Sequence, residues 1–435
     1  MKIYRSHLIG CLAMVSTFVT ASLSADDNAA AKIHDQKSFA VEYSVGPELE
    51  KVPVEVIEKA YEGRTAPEAI RMYLAIVKGS MMGAGEGWFG PAESRYDWEW
   101  LTRRHEIDLD GEIESDKFQG AAPLFERLDR NRDGKITADD LDWSERNPWV
   151  QQSYLVNRLF RKIDPNGDGK LAREEWLAFF ERASGGKDEL TSEELRNAWL
   201  GGSSSSFNPG DAPSKEILLQ GLFTGEVGSL QEGPRVNDLA PGFTLKTQDG
   251  KQTIRLADVI GNKPVVIVFG NFTCGPFRSM YRGVEEVYRK FKDDAVFLGV
   301  YVREAHPTDG WKMDSNAKVG VSVAQPKTYE QRTAVASQCY TLLKPSIPLL
   351  VDEIDDPTGN AYSGMPARLY VIDRAGLVAY KSGRGPFGFK TGEMEQALIM
   401  TLIDEKQNDG PSAPKTSANS VKKLSETSTP SKKSP

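Results

Sequence analysis

The run Val265-Val-Ile-Val-Phe269 is followed almost at once by Thr273-Cys274-Gly275-Pro276-Phe277. Five consecutive apolar side chains without alternation suit a strand covered on both faces, as in a parallel sheet flanked by helices. Beyond the cysteine, Phe277, Met280, Tyr281, Val284, Val287, Tyr288 and Phe291 recur at helical spacing and form one stripe. A buried strand that turns directly into an amphipathic helix constrains the C-terminal half more than any other feature of the chain. It also places Cys274 at the first turn of a helix. Free N–H groups and the helix dipole there favour the thiolate. Cys274 is therefore expected to ionise below the unperturbed thiol value of about 8.5 and to be more acidic than Cys339, which falls inside a predicted helix.

The same pattern continues downstream. Strands are expected at Val296 to Val302, Leu349 to Asp352, Leu369 to Asp373 and Leu377 to Tyr380, with helices near Tyr329–Leu343 and Gly392–Leu402. This is an α/β domain with a central mixed sheet flanked by helices, over residues 235–404. Met365-Pro366 stands just before a strand, where thioredoxin-like folds carry a cis-proline beside the active thiol, and the resemblance implies one here. The run Tyr301-Val-Arg-Glu304-Ala-His306 follows the second strand, at the strand ends where sites gather in such sheets. His306 is the only histidine after residue 105, and an imidazole suits proton transfer near neutrality. Glu304 and Tyr301 are expected to orient it or relay to it.

Phe269-Gly-Asn-Phe-Thr-Cys274-Gly-Pro-Phe277, Glu304-Ala-His306-Pro-Thr-Asp-Gly-Trp311, Ala367-Arg368-Leu-Tyr-Val-Ile372 and Gly383-Arg-Gly-Pro386 together resemble the iodothyronine deiodinase family. The resemblance covers residues 235–403. It implies a thioredoxin-like fold and a nucleophile at Cys274, where the family has selenocysteine. It also implies catalytic roles for Thr273, Tyr301, Glu304 and His306. The chain departs from the family in having Phe272 and Ile347 at two family cysteine positions. Phe277 replaces the second sulfur of a Cys-Gly-Pro-Cys reductase motif, so no disulfide can close that turn. The resemblance implies a small-molecule substrate of the halogenated aromatic class, and the expected reductant is an external thiol, or Cys339 if it reaches Cys274. A peroxiredoxin-like or general thiol reductase is the first alternative. A non-enzymatic calcium-binding adaptor with a decayed redox domain is the second.

Charge locates a different chemistry upstream. The chain carries 54 basic and 62 acidic side chains, a balance that argues against a nucleic-acid partner. Residues 93–199 hold 25 acidic and 17 basic residues, so the whole excess of −8 sits there. Two stretches fit the twelve-residue calcium loop. In the first, Asp129, Asn131, Asp133, Gly134 and Asp140 take positions 1, 3, 5, 6 and 12. In the second, Asp164, Asn166, Asp168, Gly169 and Glu175 do the same. Position 7, which ligates through its carbonyl, falls on Lys135 and Lys170. Asp140 is shorter than the usual Glu, so the second loop is expected to bind Ca2+ more tightly. A relative at Glu106 ends on Lys117 and reads as degenerate. The 35-residue interval between the two good loops suggests that they pair. This all-α segment, residues 93–200, resembles the EF-hand family.

The remaining segments are read from composition. Residues 1–25 carry Lys2 and Arg5, an apolar run and then small residues, the pattern of a cleaved secretory signal. Export to a periplasmic or extracellular compartment is the expectation, without stable membrane insertion after cleavage. Residues 26–92 read as a helical lead-in of unknown role, 201–234 as a linker, and 405–435 as a disordered tail.

Overall fold

The computed structural model describes residues 46–79, 92–144, 146–165, 171–200, 213–228, 230–385 and 387–408. The signal segment, the Gly-rich stretch after Gly79, the loop residues Asn166, Asp168 and Lys170, residues 201–212 and the tail beyond 408 lie outside them. Among the described residues no helix is long and apolar enough to cross a membrane.

The strands in chain order are β1 (Glu93–Ser94), β2 (Ile113–Glu114), β3 (Lys135–Ile136), β4 (Thr244–Thr247), β5 (Thr253–Arg255), β6 (Val265–Gly270), β7 (Val296–Tyr301), β8 (Leu349–Val351), β9 (Arg368–Ile372) and β10 (Val378–Lys381). One mixed sheet runs β1-β10-β9-β6-β7-β8-β4-β5. β6, β7 and β8 are parallel, and β9 is antiparallel to β6. Val265 to Phe269 are each no more than 1% exposed. At roughly 1.5–3 kcal/mol for each large side chain withdrawn from water, this central strand anchors the core.

Helices of seven residues or more are α1 (Val54–Ala60), α2 (Glu68–Val77), α3 (Trp98–His105), α4 (Ala122–Leu128), α5 (Pro148–Ile163), α6 (Arg173–Ser184), α7 (Ser192–Leu200), α8 (Lys215–Phe223), α9 (Gly275–Phe291), α10 (Tyr329–Leu343) and α11 (Thr391–Asn408). The helix expected at 329–343 forms over the full expected span. Phe277, Tyr281, Val284, Val287 and Phe291 are the buried side of α9. Phe277 packs so closely on the end of β6 that a Cβ added to Gly270 would lie 2.2 Å from its ring. Only glycine fits there.

Three features refine the expected organisation. First, the 93–200 segment packs directly against the sheet. β1 adds to the edge of β10, pairing Glu93 with Lys381 and Ser94 with Tyr380. Tyr96, Leu101, Ile113, Phe118, Leu124, Phe125, Leu128 and Ile136 belong to the same buried cluster as the sheet. Trp143 lies against Gly392 of α11, and its Nε1 donates to Gln396 at 2.9 Å. Second, the loop at 129–140 pairs with the degenerate loop at 106–117, through Ile113 opposite Ile136. Both are the apolar position-8 residues, which can meet only across such a ladder. Third, the expected linker contains α8. Its Leu218, Leu219 and Leu222 join Ile57, Ala69, Ile70, Met72, Tyr73 and Ile76 of α1 and α2 in a second, smaller core. The lead-in therefore has its own packed centre.

Candidate active site

The β6–β7 register explains why two distant segments meet. Gly270 pairs with Tyr301, so both chains leave the sheet side by side at the same end. β9 runs antiparallel and begins beside Phe269, which brings Pro366 to that end as well. The Met365-Pro366 bond is cis.

Asn271 organises the loop. Its Oδ1 accepts from the amides of Cys274 at 3.0 Å and Ala305 at 3.2 Å, and from the Thr273 hydroxyl at 3.2 Å. Its Nδ2 donates to the Pro366 carbonyl at 3.0 Å. One amide thus ties the thiol loop, the loop after β7 and the cis-proline loop together. The Thr273 hydroxyl also accepts from the His306 amide at 2.9 Å. Arg278 donates to the Phe272 carbonyl, and to Asn316 at 2.8 Å. Asn316 in turn donates to the Thr273 carbonyl at 2.7 Å. Asn271, Arg278 and Asn316 were not singled out by sequence reasoning. Asn271 lies inside the Phe-Gly-Asn-Phe-Thr-Cys motif, but an Asn after a strand reads as an ordinary turn residue.

Thr273, Cys274, Tyr301, Glu304 and His306 are brought into one cluster. Glu304 is fully buried. It accepts from the Tyr301 hydroxyl and, at 2.9 Å, from the Thr273 amide. Tyr301 accepts from the Phe272 amide at 3.1 Å. Glu304 and Tyr301 thus clamp the backbone on the N-terminal side of Cys274, a positioning role different from the orientation of His306 expected from sequence; the His306 ring itself is placed against Trp311. Burial pushes the Glu304 carboxyl up, against the hydrogen bonds from Tyr301 and Thr273 that lower it. The His306 Nδ1 lies 3.2 Å from the Trp311 carbonyl, and the two rings stand edge to face at 4.5 Å. A carbonyl only accepts, so Nδ1 carries the hydrogen and Nε2 faces the remaining chemistry.

Cys274 is the N-cap of α9, as expected, but it is 1% exposed. Burial pushes its thiol up to about 11. The Phe277 amide and Arg278 pull it down, and Glu304 adds to the rise. The expectation of a depressed value is therefore corrected for this conformation. Cys339, buried in α10, is pushed up further by burial and by Glu304, so Cys274 remains the more acidic of the two. Both thiols are free.

Asp129 accepts from the amides of Asp133 at 3.1 Å and Gly134 at 2.9 Å, around the turn that Gly134 makes at φ +87°. Asn131 and Asp133 curl inward in the same way. Asp129, Asn131, Asp133 and the Lys135 carbonyl are oxygen donors of the kind a hard cation takes, though here the three side chains accept backbone amides. Asp140 does the same for the amides of Arg130, Asn131 and Thr137, and its arm is one methylene shorter than the Glu usual at position 12. Of the second loop's ligands, Asp164 pairs with Arg282 of α9 at 3.1 Å, and Glu175 accepts from the Ala172 amide at 2.9 Å. Among the described residues no group of three or more His, Cys, Asp or Glu is gathered for a metal.

A mixed sheet whose adjacent strand ends carry one thiol, one imidazole and a buried carboxylate defines a thioredoxin-like protein of the oxidoreductase class. The comparisons narrow this. A model of the iodothyronine deiodinase family matches residues 218–401, and an EF-hand model matches 121–142 and 156–180. Thyroxine 5-deiodinase of Gallus gallus is 33% identical over 181 residues, which is 41% of this chain and 68% of that one. Type II iodothyronine deiodinase of Mus musculus is 28% identical, over 48% of this chain and 76% of that one. Of the mammalian thyroxine 5-deiodinases the chain spans about half, for example 53% of the Ovis aries protein at 31% identity. Among solved structures, a thioredoxin-family thiol:disulfide interchange protein from Chlorobium tepidum aligns at 16% identity and a TM-score of 0.27, over 38% of this chain and 97% of that one. The chain belongs to the iodothyronine deiodinase family, and it carries an EF-hand segment in addition.

Proposed function

We propose that the protein is an exported, calcium-binding thiol oxidoreductase in which Cys274 reductively removes a halogen from an aromatic small molecule. The carrying observation is the meeting of Cys274 and His306 through Thr273, at the adjoining ends of β6 and β7. The Cys274 thiolate attacks the halogen, forming a sulfur–halogen bond as the carbon–halogen bond breaks. The bonding pair stays on the ring carbon, which takes the proton that His306 Nε2, bare in this tautomer, has first accepted from the Cys274 thiol. One external thiol then attacks the sulfenyl halide, releasing halide and leaving a mixed disulfide on Cys274. A second external thiol resolves it. Two thiols are thus oxidised to one disulfide for each carbon–halogen bond replaced by carbon–hydrogen. Phe277 at the usual resolving position leaves that turn without a second sulfur, which supports an external reductant.

Calcium, when bound, would hold the loops through Asp129, Asn131, Asp133 and the Lys135 carbonyl, and through Asp164 and Glu175 with the intervening residues of the second loop. Turnover of an iodinated phenol with dithiothreitol as reductant tests the reading, with product and iodide both measured. Cys274→Ser should abolish iodide release, and His306→Ala should lower it about 10²-fold or more. Unchanged release from Cys274→Ser would reject the assignment of the thiol. Unchanged release from His306→Ala would reject only the proton donor.

A further inference from the structure

The smaller core formed by α1, α2 and α8 does not stand apart from the site. Trp311, whose ring lies on His306, is a member of that core. Arg303, in the loop after β7, donates to the Gly225 carbonyl just beyond α8. On the opposite border of the site, Gly228 lies flat against the cis-proline loop. A Cβ there would sit 2.0 Å from Arg384 Nη1 and 3.2 Å from the Met365 carbonyl. The thiol between these borders is 1% exposed.

One ion cluster fastens the arrangement. Glu68, at the start of α2, accepts from Arg368 at 3.0 Å and from Arg384 at 3.1 Å. Their side chains are 5%, 2% and 1% exposed. Arg384 also donates to Ser363 at 2.9 Å and to the Met365 carbonyl at 3.4 Å, which reaches the bond preceding Pro366. The Glu68 amide donates to Glu232 at 2.9 Å. Both arginines lie within the span matched by the deiodinase model, and their carboxylate comes from far outside it. Two buried guanidinium groups need an anion, and here it is supplied by the lead-in.

We propose that α1, α2 and α8 form a lid over the Cys274 site, latched shut by the Glu68 carboxylate on Arg368 and Arg384. The lid rests on the reading of Cys274 as the reacting thiol. Substrate reaches that thiol when the lid swings away from Trp311 and the cis-proline loop, and the latch sets how often it does so.

Alkylation of the full chain by iodoacetamide at pH 8, followed by peptide mass spectrometry, reads the lid without any turnover. Both cysteines belong to the main core, but Cys339 lies on α10 and borders neither Trp311 nor the cis-proline loop in the contacts described above, so it serves as the internal reference. In Glu68→Gln, Cys274 should be alkylated at least ten-fold faster than in the unaltered protein, while the rate at Cys339 stays the same. No change at Cys274 would overturn the lid. If both cysteines accelerate together, the substitution has loosened the whole fold, and the unaltered protein decides. In sub-denaturing urea its Cys274 should become reactive at a lower concentration than Cys339, and simultaneous exposure would overturn the proposal. These rates do not depend on dehalogenation. Failure of the lid is therefore distinct from failure of the reaction, which the Cys274→Ser turnover reports.

Discussion

At neutral pH the Cys274 thiol is protonated in the closed structure, because burial outweighs the helix start. A helix terminus offers roughly 0.3–1 kcal/mol to an anion, less than one pKa unit, whereas full burial moves a group by up to about 3–5 units. A thiol whose folded value is raised to about 11 favours the closed fold below its unfolded value. That contribution is lost as pH rises through 11. Alkylation of Cys274 should accordingly show a midpoint well above 8.5 in the folded protein, and a midpoint below it would contradict the buried geometry. The residue most exposed to test in the surrounding network is Asn271. Asn271→Ala strands the amides of Cys274 and Ala305 and the Thr273 hydroxyl, all buried. A loss of about 2–4 kcal/mol in urea unfolding is expected, and a loss under 1 kcal/mol would show that the loop relaxes onto other acceptors. Cys274 and His306 were legible in the sequence, since a nucleophile and a lone imidazole stand out by type. Asn271 was not, because its importance lies in three loops that only the sheet register brings together.

At the scale of elements, periodicity carried most of the information. The stripe from Phe277 to Phe291 identified α9 and its buried side, and the apolar run identified β6. Register was harder to read. The 35-residue interval between the two good calcium loops pointed to a pair, yet the ladder joins Ile136 to Ile113 of the degenerate loop. Spacing along the chain measures how often a motif recurs, whereas pairing is settled by which apolar position-8 residues can face one another. The consequence for calcium follows from Asp140, whose carboxylate is spent on three backbone amides. Glu175→Gln should therefore weaken the tighter of two calorimetric sites more than Asp140→Asn weakens the other. Equal losses would show that Asp140 leaves its amides to ligate.

Across the whole molecule, the lead-in, the EF-hand segment and the sheet depend on one another. Burial alone would push the Glu68 carboxyl up, but Arg368 and Arg384 prevail and hold it far below the usual carboxylate range. A depressed folded value contributes stability above the unfolded value of about 4.3, and that stability is lost as pH falls through the folded value. Removing one partner of a buried ion cluster costs roughly 3–5 kcal/mol. The stability gap between the unaltered protein and Glu68→Gln should thus be full from pH 8 to 5 and shrink on further acidification. A gap that widened below pH 4 would place the stabilising charge elsewhere. None of this was legible in the lead-in, because a single Glu at the head of a short helix gives no sign that its partners lie 300 residues away.

β1 is only two residues long, yet it occupies the outer flank of β10. A strand flank without a partner presents a row of N–H and C=O groups to any other chain that can match it. Cutting this protein at residue 218, where the family match begins, would strip Val378–Lys381 of that cover and uncover the apolar surface now shared with Tyr96, Leu101 and Phe125. Such a fragment would keep every residue assigned to the chemistry and become prone to self-association. The segment that brings the calcium loops also serves as the solubility guard of the catalytic sheet.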